Sequence, residues 1–320
     1  SRNTEGFLGI SPEELIGQKL GVLFPQAEIE HLKDCLSGGE DLDYYNPLNF
    51  TVKIDSKTSF FYGVVHKSDG VWVLELEPKT VKLKSDRLNF YHLVKPSLAK
   101  IINASSFQNA TELVVKEIRQ ITGYDRVMMY RFKADESGVV VAEDRLPQLE
   151  PFLGLHYPAS DIPRQARELY YHSLLRLIVD INYQPVELFP VNNPLTNQPL
   201  DLSQSVLRSI SPIHVEYLQN MGVAASFCIS VINEQKLWGL IVCHHYQPKY
   251  LDYETRKACE LLGQFMSLEI VKKSKSDLDI YVEKVDAIQH QLKTGLSGES
   301  EALVKVLKEH ERKLLDLVRA

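Results

Sequence analysis

Apolar and polar residues alternate along Phe50-Thr51-Val52-Lys53-Ile54 and again along Val71-Trp72-Val73-Leu74-Glu75-Leu76, which predicts half-buried strands. Ser68-Asp69-Gly70 supplies a hairpin turn ahead of the second run. Upstream, Ser11-Pro12-Glu13-Glu14 combines a serine N-cap, a proline at the first helical position and a glutamate that completes a capping box, so a short helix begins there. These elements predict a small α+β domain ending near Pro78. Because the chain opens almost directly on a helix, that domain is expected to lack its earlier strands.

A charged stretch, Lys79 to Arg87, leads into helical patterns at Tyr91 to Ile102 and Ala110 to Ile121, the second stopped by Gly123. Strand patterns follow at 126–132, 138–142, 225–232 and 237–244, with the last two joined across Asn233 to Lys236 as a hairpin. After Arg164 an amphipathic helix is expected to run through Tyr170, Leu174 and Leu177. Between Val179 and Ser205, Pro185, Pro190, Pro194 and Pro199 exclude a helix, and a loop of that length in a compact domain is usually functional. From Leu251 the pattern is helical again, with Asp252 as N-cap. Leu278, Val285 and Leu292 recur every seven residues, with Tyr281 and Ile288 between them. Such a stripe suits either a helix packed on its own domain or a parallel helical dimer.

At 320 residues, two domains plus connecting helices are expected. Hydrophobic content of 44% with 24% charged residues is ordinary for a soluble globular protein. The net charge of -6, without a long Lys/Arg run, argues against nucleic acid or an anionic membrane as partner. No stretch reaches the roughly 18 apolar residues of a membrane span, and the first residues lack a signal-peptide pattern. A cytoplasmic protein is expected. Cys35, Cys228, Cys243 and Cys259 are scattered without paired spacing, so they read as buried free thiols rather than a disulfide framework or a zinc cluster.

Candidate chemistry concentrates in three clusters. In Tyr157-Pro-Ala-Ser-Asp-Ile-Pro163 two prolines stiffen the backbone around Asp161, which suits a carbonyl or carboxylate held in one place but equally suits a turn before a helix. The second cluster is Arg208-Ser209-Ile210-Ser211-Pro212-Ile213-His214, and the third is Cys243-His244-His245, where His244 is either a satisfied core histidine or a ligand contact. Taken together, Arg176, Arg208, Tyr130, Tyr157, Tyr170, His214 and His244 offer two cationic forks and several aromatic hydroxyls, a lining for an acidic, conjugated ligand. The sequence has no Walker loop, GxSxG or HExxH, and no nucleophile accompanies His156, Asp161, His244 or His245, so catalysis in this chain is not expected.

Four segments in chain order resemble the chromophore-binding PAS-GAF core of phytochromes: residues 157–163, Leu207 to Leu218, Asn220-Met-Gly-Val223 and Leu237 to His245. The resemblance implies an α+β fold, with a PAS domain over 1–80, a GAF domain over 92–271, each an antiparallel sheet flanked by helices, and a helical spine over 272–320 leading toward a PHY domain not included here. It implies that the Asp161 carbonyl accepts from the pyrrole N–H groups of a bilin, with Ile162 beside it. His214 stacks near the ring centre, and His244 bonds the carbonyl of the outer D ring. Arg176 and Arg208, with Tyr170, Ser211, Ser226 and Cys228, hold the two propionates, Cys228 standing where the family carries a hydroxyl. Tyr130, Tyr157 and Tyr217 line the pocket of the rotating ring, and 179–205 resembles the lasso through which the N-terminus threads.

Ile213 occupies the position where plant and most cyanobacterial phytochromes carry the cysteine that forms a thioether with a reduced bilin, and isoleucine has no nucleophile for that bond. The bacteriophytochrome arrangement is therefore implied, in a core of cyanobacterial-like type. Its cofactor is the linear tetrapyrrole biliverdin IXα, attached in the family to a cysteine upstream of the PAS domain that is not present in this sequence. Further implications are a homodimer through the C-terminal helices and signalling to a histidine kinase and its response regulator. Two readings from other classes stay open: a GAF sensor of a cyclic nucleotide or other small metabolite, and a dimerisation module with a vestigial pocket.

Overall fold

A computed structural model describes residues 1–38, 42–54, 57–79 and 86–295, and single positions at 308, 311, 312 and 315. The stretch 80–85, the side chain of Leu278 and most of the expected spine after 295 lie outside the described residues.

Helices α1 (Thr4–Leu8), α2 (Pro12–Leu15) and α3 (Gln26–Ser37) precede a sheet of β1 (Leu48–Ile54), β2 (Lys57–Ser68) and β3 (Val71–Pro78), antiparallel in the order β1-β2-β3. The capping box is formed: Ser11 Oγ accepts the Glu14 N–H and the Glu14 carboxylate accepts the Ser11 N–H. Asp69 and Gly70 both have positive φ, 45° and 79°, which matches a two-residue hairpin turn with the right-handed strand twist. Phe50, Val52, Phe61 and Val65 point inward against Leu8, Ile29, Leu32 and Cys35. Cys35, expected to be a buried free thiol, is buried, because it follows Leu32 by three residues on the inner stripe of α3.

The second domain is built from α4 (Asp86–Ile102), α5 (Phe107–Thr122), β4 (Arg126–Phe132), β5 (Gly138–Arg145), β6 (His156–Tyr157), α6 (Arg164–His172), β7 (Leu175–Ile178), α7 (Pro212–Asn220), β8 (Ala225–Asn233), β9 (Lys236–His245) and α8 (Tyr253–Gly295). Its strands form one antiparallel sheet in the order β6-β5-β4-β9-β8-β7. Ser106 caps α5 by accepting the Asn109 N–H at 3.1 Å, and Gly123 ends it in the left-handed conformation. Asp252 caps α8 through the Thr255 N–H at 2.8 Å. Val114 and Ile118 of α5 close the core against β4 and β5, and Leu262 and Met266 of α8 close it against β8. A β-carbon on Gly263 would meet Ile229 Cγ2 at 2.7 Å, so α8 lies directly on the sheet. Among the described residues no helix is long and apolar enough to cross a membrane.

The helix expected through Leu174 and Leu177 stops at His172. Leu175-Arg176-Leu177-Ile178 is instead the edge strand β7, paired with β8, and the Ser230 N–H donates to the Leu174 carbonyl at 2.8 Å. Ser173 leaves helical geometry with φ -134° and ψ 106°, and the apolar run beyond it gains a sheet neighbour that no helix there could offer. Arg176 thus stands on a rigid strand.

The two domains meet through polar contacts. Glu77 of β3 pairs with Arg256 of α8 at 2.7 Å, and Tyr62 stacks on Tyr253 with centroids 4.9 Å apart. The proline-rich loop follows the hairpin turn: Asn193 Nδ2 donates to the Asp69 carbonyl at 3.0 Å and the Asp201 N–H donates to the Asp69 carboxylate at 2.8 Å. Arg2 lies against the same loop, its N–H donating to the Glu187 carbonyl at 2.9 Å and its guanidinium 4.8 Å from the Phe189 ring centre.

Candidate functional site

Tyr130 on β4 faces Tyr157 on β6, with ring centroids 5.9 Å apart. Both rings join Phe132, Phe152 and Ile162 in one apolar cluster. The Asp161 N–H closes a turn onto the Pro158 carbonyl at 3.1 Å. Arg167 of α6 then reaches back over that turn, Nε donating to the Ile162 carbonyl at 2.7 Å and a terminal nitrogen to the Ala159 carbonyl at 3.4 Å. Its guanidinium also sits 5.2 Å from the Phe132 ring centre. The half-buried Asp161 is left with a main-chain carbonyl that has no hydrogen-bond partner among the described residues.

Burial, followed by the charge of Asp161, pushes the phenol of Tyr130 up to about 12. The same two causes, in the same order, raise Tyr217 on α7. Burial also raises Tyr157, with a smaller contribution from Asp161. The tyrosines predicted from sequence are therefore gathered around Asp161 and stay protonated. One strand away, His244 on β9 is 4% exposed and its Nδ1 has no partner. Burial first, then Arg126 and His214, depress its imidazole to about 3, so it is a neutral ring.

A second cluster surrounds two arginines. Arg176 on β7 is 7% exposed and bonds only main-chain carbonyls, Ser209 at 3.0 Å and Val206 at 3.4 Å. Arg208 donates to the Ser205 carbonyl at 2.6 Å. Burial, and then the charge of Arg208, lower Arg176 to about 10. Burial also lowers Arg208. The other deeply buried arginines are neutralised, Arg126 by Glu143 at 2.6 Å and Arg256 by Glu77. Among the described residues neither Arg176 nor Arg208 has a carboxylate within ion-pair distance.

Tyr170 lies beside these cations, its phenol raised by burial and then by Cys228. Burial raises the Cys228 thiol, which sits 3.9 Å from Ser226 Oγ. His214 is lowered by burial and then by Arg176, and it also acts on His244, so it lies between the two clusters. Ser211 and Ile213 open α7 and are exposed, Ile213 at 79%. His245 pairs with Asp125 at 2.8 Å, at the end of β9 away from both clusters.

Arg167, Arg126 and Glu143 were missed by sequence reasoning. A signal existed for Arg167: four residues past Pro163, the N-cap of α6, its side chain leans back over the helix N-terminus and the proline-braced turn. Arg126 and Glu143 gave none, since their pairing depends on the register of β4 with β5.

The arrangement suits a ligand with two separated anionic arms and a polar, conjugated body. Two uncompensated cations, an orphaned imidazole nitrogen and a free carbonyl between prolines would each be satisfied by a bilin, so the residues present fit the group that the sequence pattern implied.

The GAF domain family model matches residues 106–270, and the PAS fold model matches residues 1–79. The chain is 46% identical over 320 residues to cyanobacterial phytochrome B of Nostoc sp., covering all of this chain and 42% of that protein. It therefore spans about two fifths of the curated relative's length. Among solved structures, it resembles the chromophore-binding domain of a Stigmatella aurantiaca phytochrome with a TM-score of 0.77 at 46% identity, covering 83% of this chain and 88% of that one. The photosensory core module of a phytochrome from the same organism aligns with a TM-score of 0.82 at 42% identity, over 100% of this chain and 63% of that one. With one family model over half its length, and a phytochrome domain matched over most of both chains, this chain belongs to the phytochrome family and comprises its PAS-GAF core.

Proposed function

We propose that this chain is the core of a red/far-red photoreceptor that holds a linear tetrapyrrole, biliverdin IXα, in its second domain. The observation that carries the reading is the pair Arg176 and Arg208, two half-buried to buried cations that no carboxylate among the described residues neutralises. Two propionates offset two cations. A cyclic nucleotide brings a single phosphate charge and would leave one guanidinium uncompensated.

When bound, the bilin supplies light absorption and isomerisation of the double bond before its D ring. Arg176 and Arg208 hold the propionates, with Tyr170, Ser211, Ser226 and Cys228 around them. The Asp161 carbonyl accepts from the pyrrole N–H groups in a turn that Arg167 keeps rigid. His214 covers the ring centre, and His244, kept neutral by its burial, retains one ring nitrogen that donates and one that accepts. Tyr130, Tyr157 and Tyr217 surround the D ring, and Ile162 and Ile213 supply apolar contacts. All four cysteines of this chain are buried free thiols.

The family-model matches, at 1–79 and 106–270, support the reading of a PAS domain over 1–80 and a GAF domain over 92–271. Contact of Arg2 with Glu187 and Phe189 supports the reading of 179–205 as a lasso. The output is proposed to be a cytoplasmic histidine kinase acting on a response regulator, with dimerisation through the C-terminal helices. The test is the absorbance spectrum of the purified chain with biliverdin, before and after red light, followed by zinc fluorescence of the denatured protein. A red-absorbing band that bleaches under red light supports the reading, and zinc fluorescence of the denatured band would reveal a covalent link. A spectrum identical to free biliverdin overturns it in favour of a metabolite sensor.

A further inference from the structure

The five residues 205–209 form a hub between the domains. Their carbonyls hold both arginines of the site: Ser205 accepts from Arg208, and Val206 and Ser209 accept from Arg176. Residues 205–209 belong to no helix or strand, so no strand pairing in the second domain's sheet fixes their main chain, and Arg176 of β7 reaches them only through its side chain. The first domain holds that main chain instead. Glu75 on β3, with a side chain 9% exposed, receives the Leu207 N–H at 2.7 Å on one carboxylate oxygen and the Val206 N–H at 3.0 Å on the other. His66, on the neighbouring strand β2, lies 3.8 Å from the same carboxylate and meets Ser205 Oγ at 3.2 Å.

We propose that Glu75 of the first domain is a positioning residue for the anion-binding arginines of the second, clamping residues 205–209 so that Arg176 and Arg208 are aimed before any ligand arrives. This rests on the bilin reading of the site. A carboxylate that accepts two main-chain N–H groups in a buried setting makes charge-assisted bonds that water cannot replace in the same geometry. Both guanidiniums are hydrogen-bonded to the clamped segment, so its displacement moves both cations at once. The contact also gives the first domain a part in ligand affinity, although it supplies no group to the arginine cluster itself. Glu75 acts at a distance: its charge also attracts Arg208 without an ion-pair contact.

The test uses the whole chain and two ligands, biliverdin and its dimethyl ester, which keeps the conjugated body but lacks the propionate charges. In the unliganded protein, Glu75→Ala is expected to abolish hydrogen-exchange protection of the Val206 and Leu207 amides. The same variant should bind biliverdin roughly tenfold more weakly, about the effect of one lost charge-assisted bond, and bind the ester as wild type does. Glu75→Gln, which keeps one acceptor oxygen, should lie between the two. Equal weakening toward both ligands, or no weakening toward biliverdin, overturns the proposal. If Glu75→Ala does not fold, the ester comparison with Glu75→Gln decides in the same way. A wild-type protein that fails to prefer biliverdin over the ester would instead overturn the bilin reading on which the proposal stands.

Discussion

The ring of Tyr130 lies directly over Gly138: a β-carbon at residue 138 would stand 1.8 Å from the ring's Cζ. Gly138 opens β5 opposite Phe132, and Tyr130 is paired two residues further along, with Val140. The phenol therefore leans diagonally across the strand pair onto bare backbone, an arrangement that also shields the glycine from solvent. That contact fixes which way Tyr130 points into the cluster around Asp161.

Gly138→Ala is therefore expected to push Tyr130 out of its rotamer and to cost about 1–3 kcal/mol of stability by overpacking. Urea unfolding of the unliganded protein measures this. In a Tyr130→Ala background the same substitution should cost much less, because the clash is gone, and the difference between the two is their coupling energy.

The arginines separate into two kinds with opposite expectations. Arg126→Met removes the nearer cation from the buried Glu143 carboxylate, leaving Arg145 at 3.7 Å and two main-chain N–H donors, and should destabilise the fold by about 2–3 kcal/mol. Arg176→Met removes a buried cation that has no carboxylate partner, so the unliganded protein should be as stable as wild type or more so, while biliverdin binding weakens by tenfold or more. Thermal unfolding without ligand, paired with biliverdin titration, checks both. Parallel loss of stability in the two variants would remove the argument that Arg176 is held uncompensated for a ligand.

Much of this site could be read before the fold was known. The segments 157–163, 207–218 and 237–245 carried Asp161, Arg208, His214 and His244, and the structure gathers them. What sequence could not supply was the partner each group lacks. That Arg176 stands without a carboxylate while Arg126 has one depends on strand register, as does the seat of Tyr130 on Gly138. The missed strand β7 has a similar cause. Leu174 to Ile178 is apolar enough for either helix or strand, and only the free edge of β8 decides it. The clamp from Glu75 to 206–207 spans 131 residues of chain and left no local pattern.

His244 predicts a pH dependence. Its folded-state value of about 3 lies below the 6.5 of a free imidazole, so as pH falls the unfolded chain takes up its proton first. The stability this group contributes is complete above about pH 6.5 and is lost as pH drops toward 3, at up to about 1.4 kcal/mol per pH unit. His66, His214 and His245 are lowered too and add losses of the same sign. Glu75, raised by burial, has the opposite sign, so the informative quantity is the difference between wild type and His244→Gln. Unfolding free energies measured from pH 7 to 4 should fall less steeply in the variant. Identical slopes would mean that His244 is not held neutral.

The turn around Asp161 gives the last prediction. Arg167 is its external brace: Nε to the Ile162 carbonyl, a terminal nitrogen to the Ala159 carbonyl, and the guanidinium face toward Phe132. Lysine donates from a single nitrogen and has neither the fork nor the flat face, so Arg167→Lys is not conservative here. Its effect on stability should be small, about 1 kcal/mol, because the bonds it loses go to a partly solvated loop. Its effect on the site should be larger, since a loosened turn no longer holds the Asp161 carbonyl at one place. With biliverdin bound, the variant is expected to show a broadened red band and higher fluorescence, as a less constrained pocket admits several ligand poses. Asp161→Ala should change the spectrum in the same direction, and the double variant should add little, because both substitutions act on one turn. If Arg167→Lys instead lowers stability by several kcal/mol and leaves the spectrum untouched, Arg167 serves the fold rather than the site.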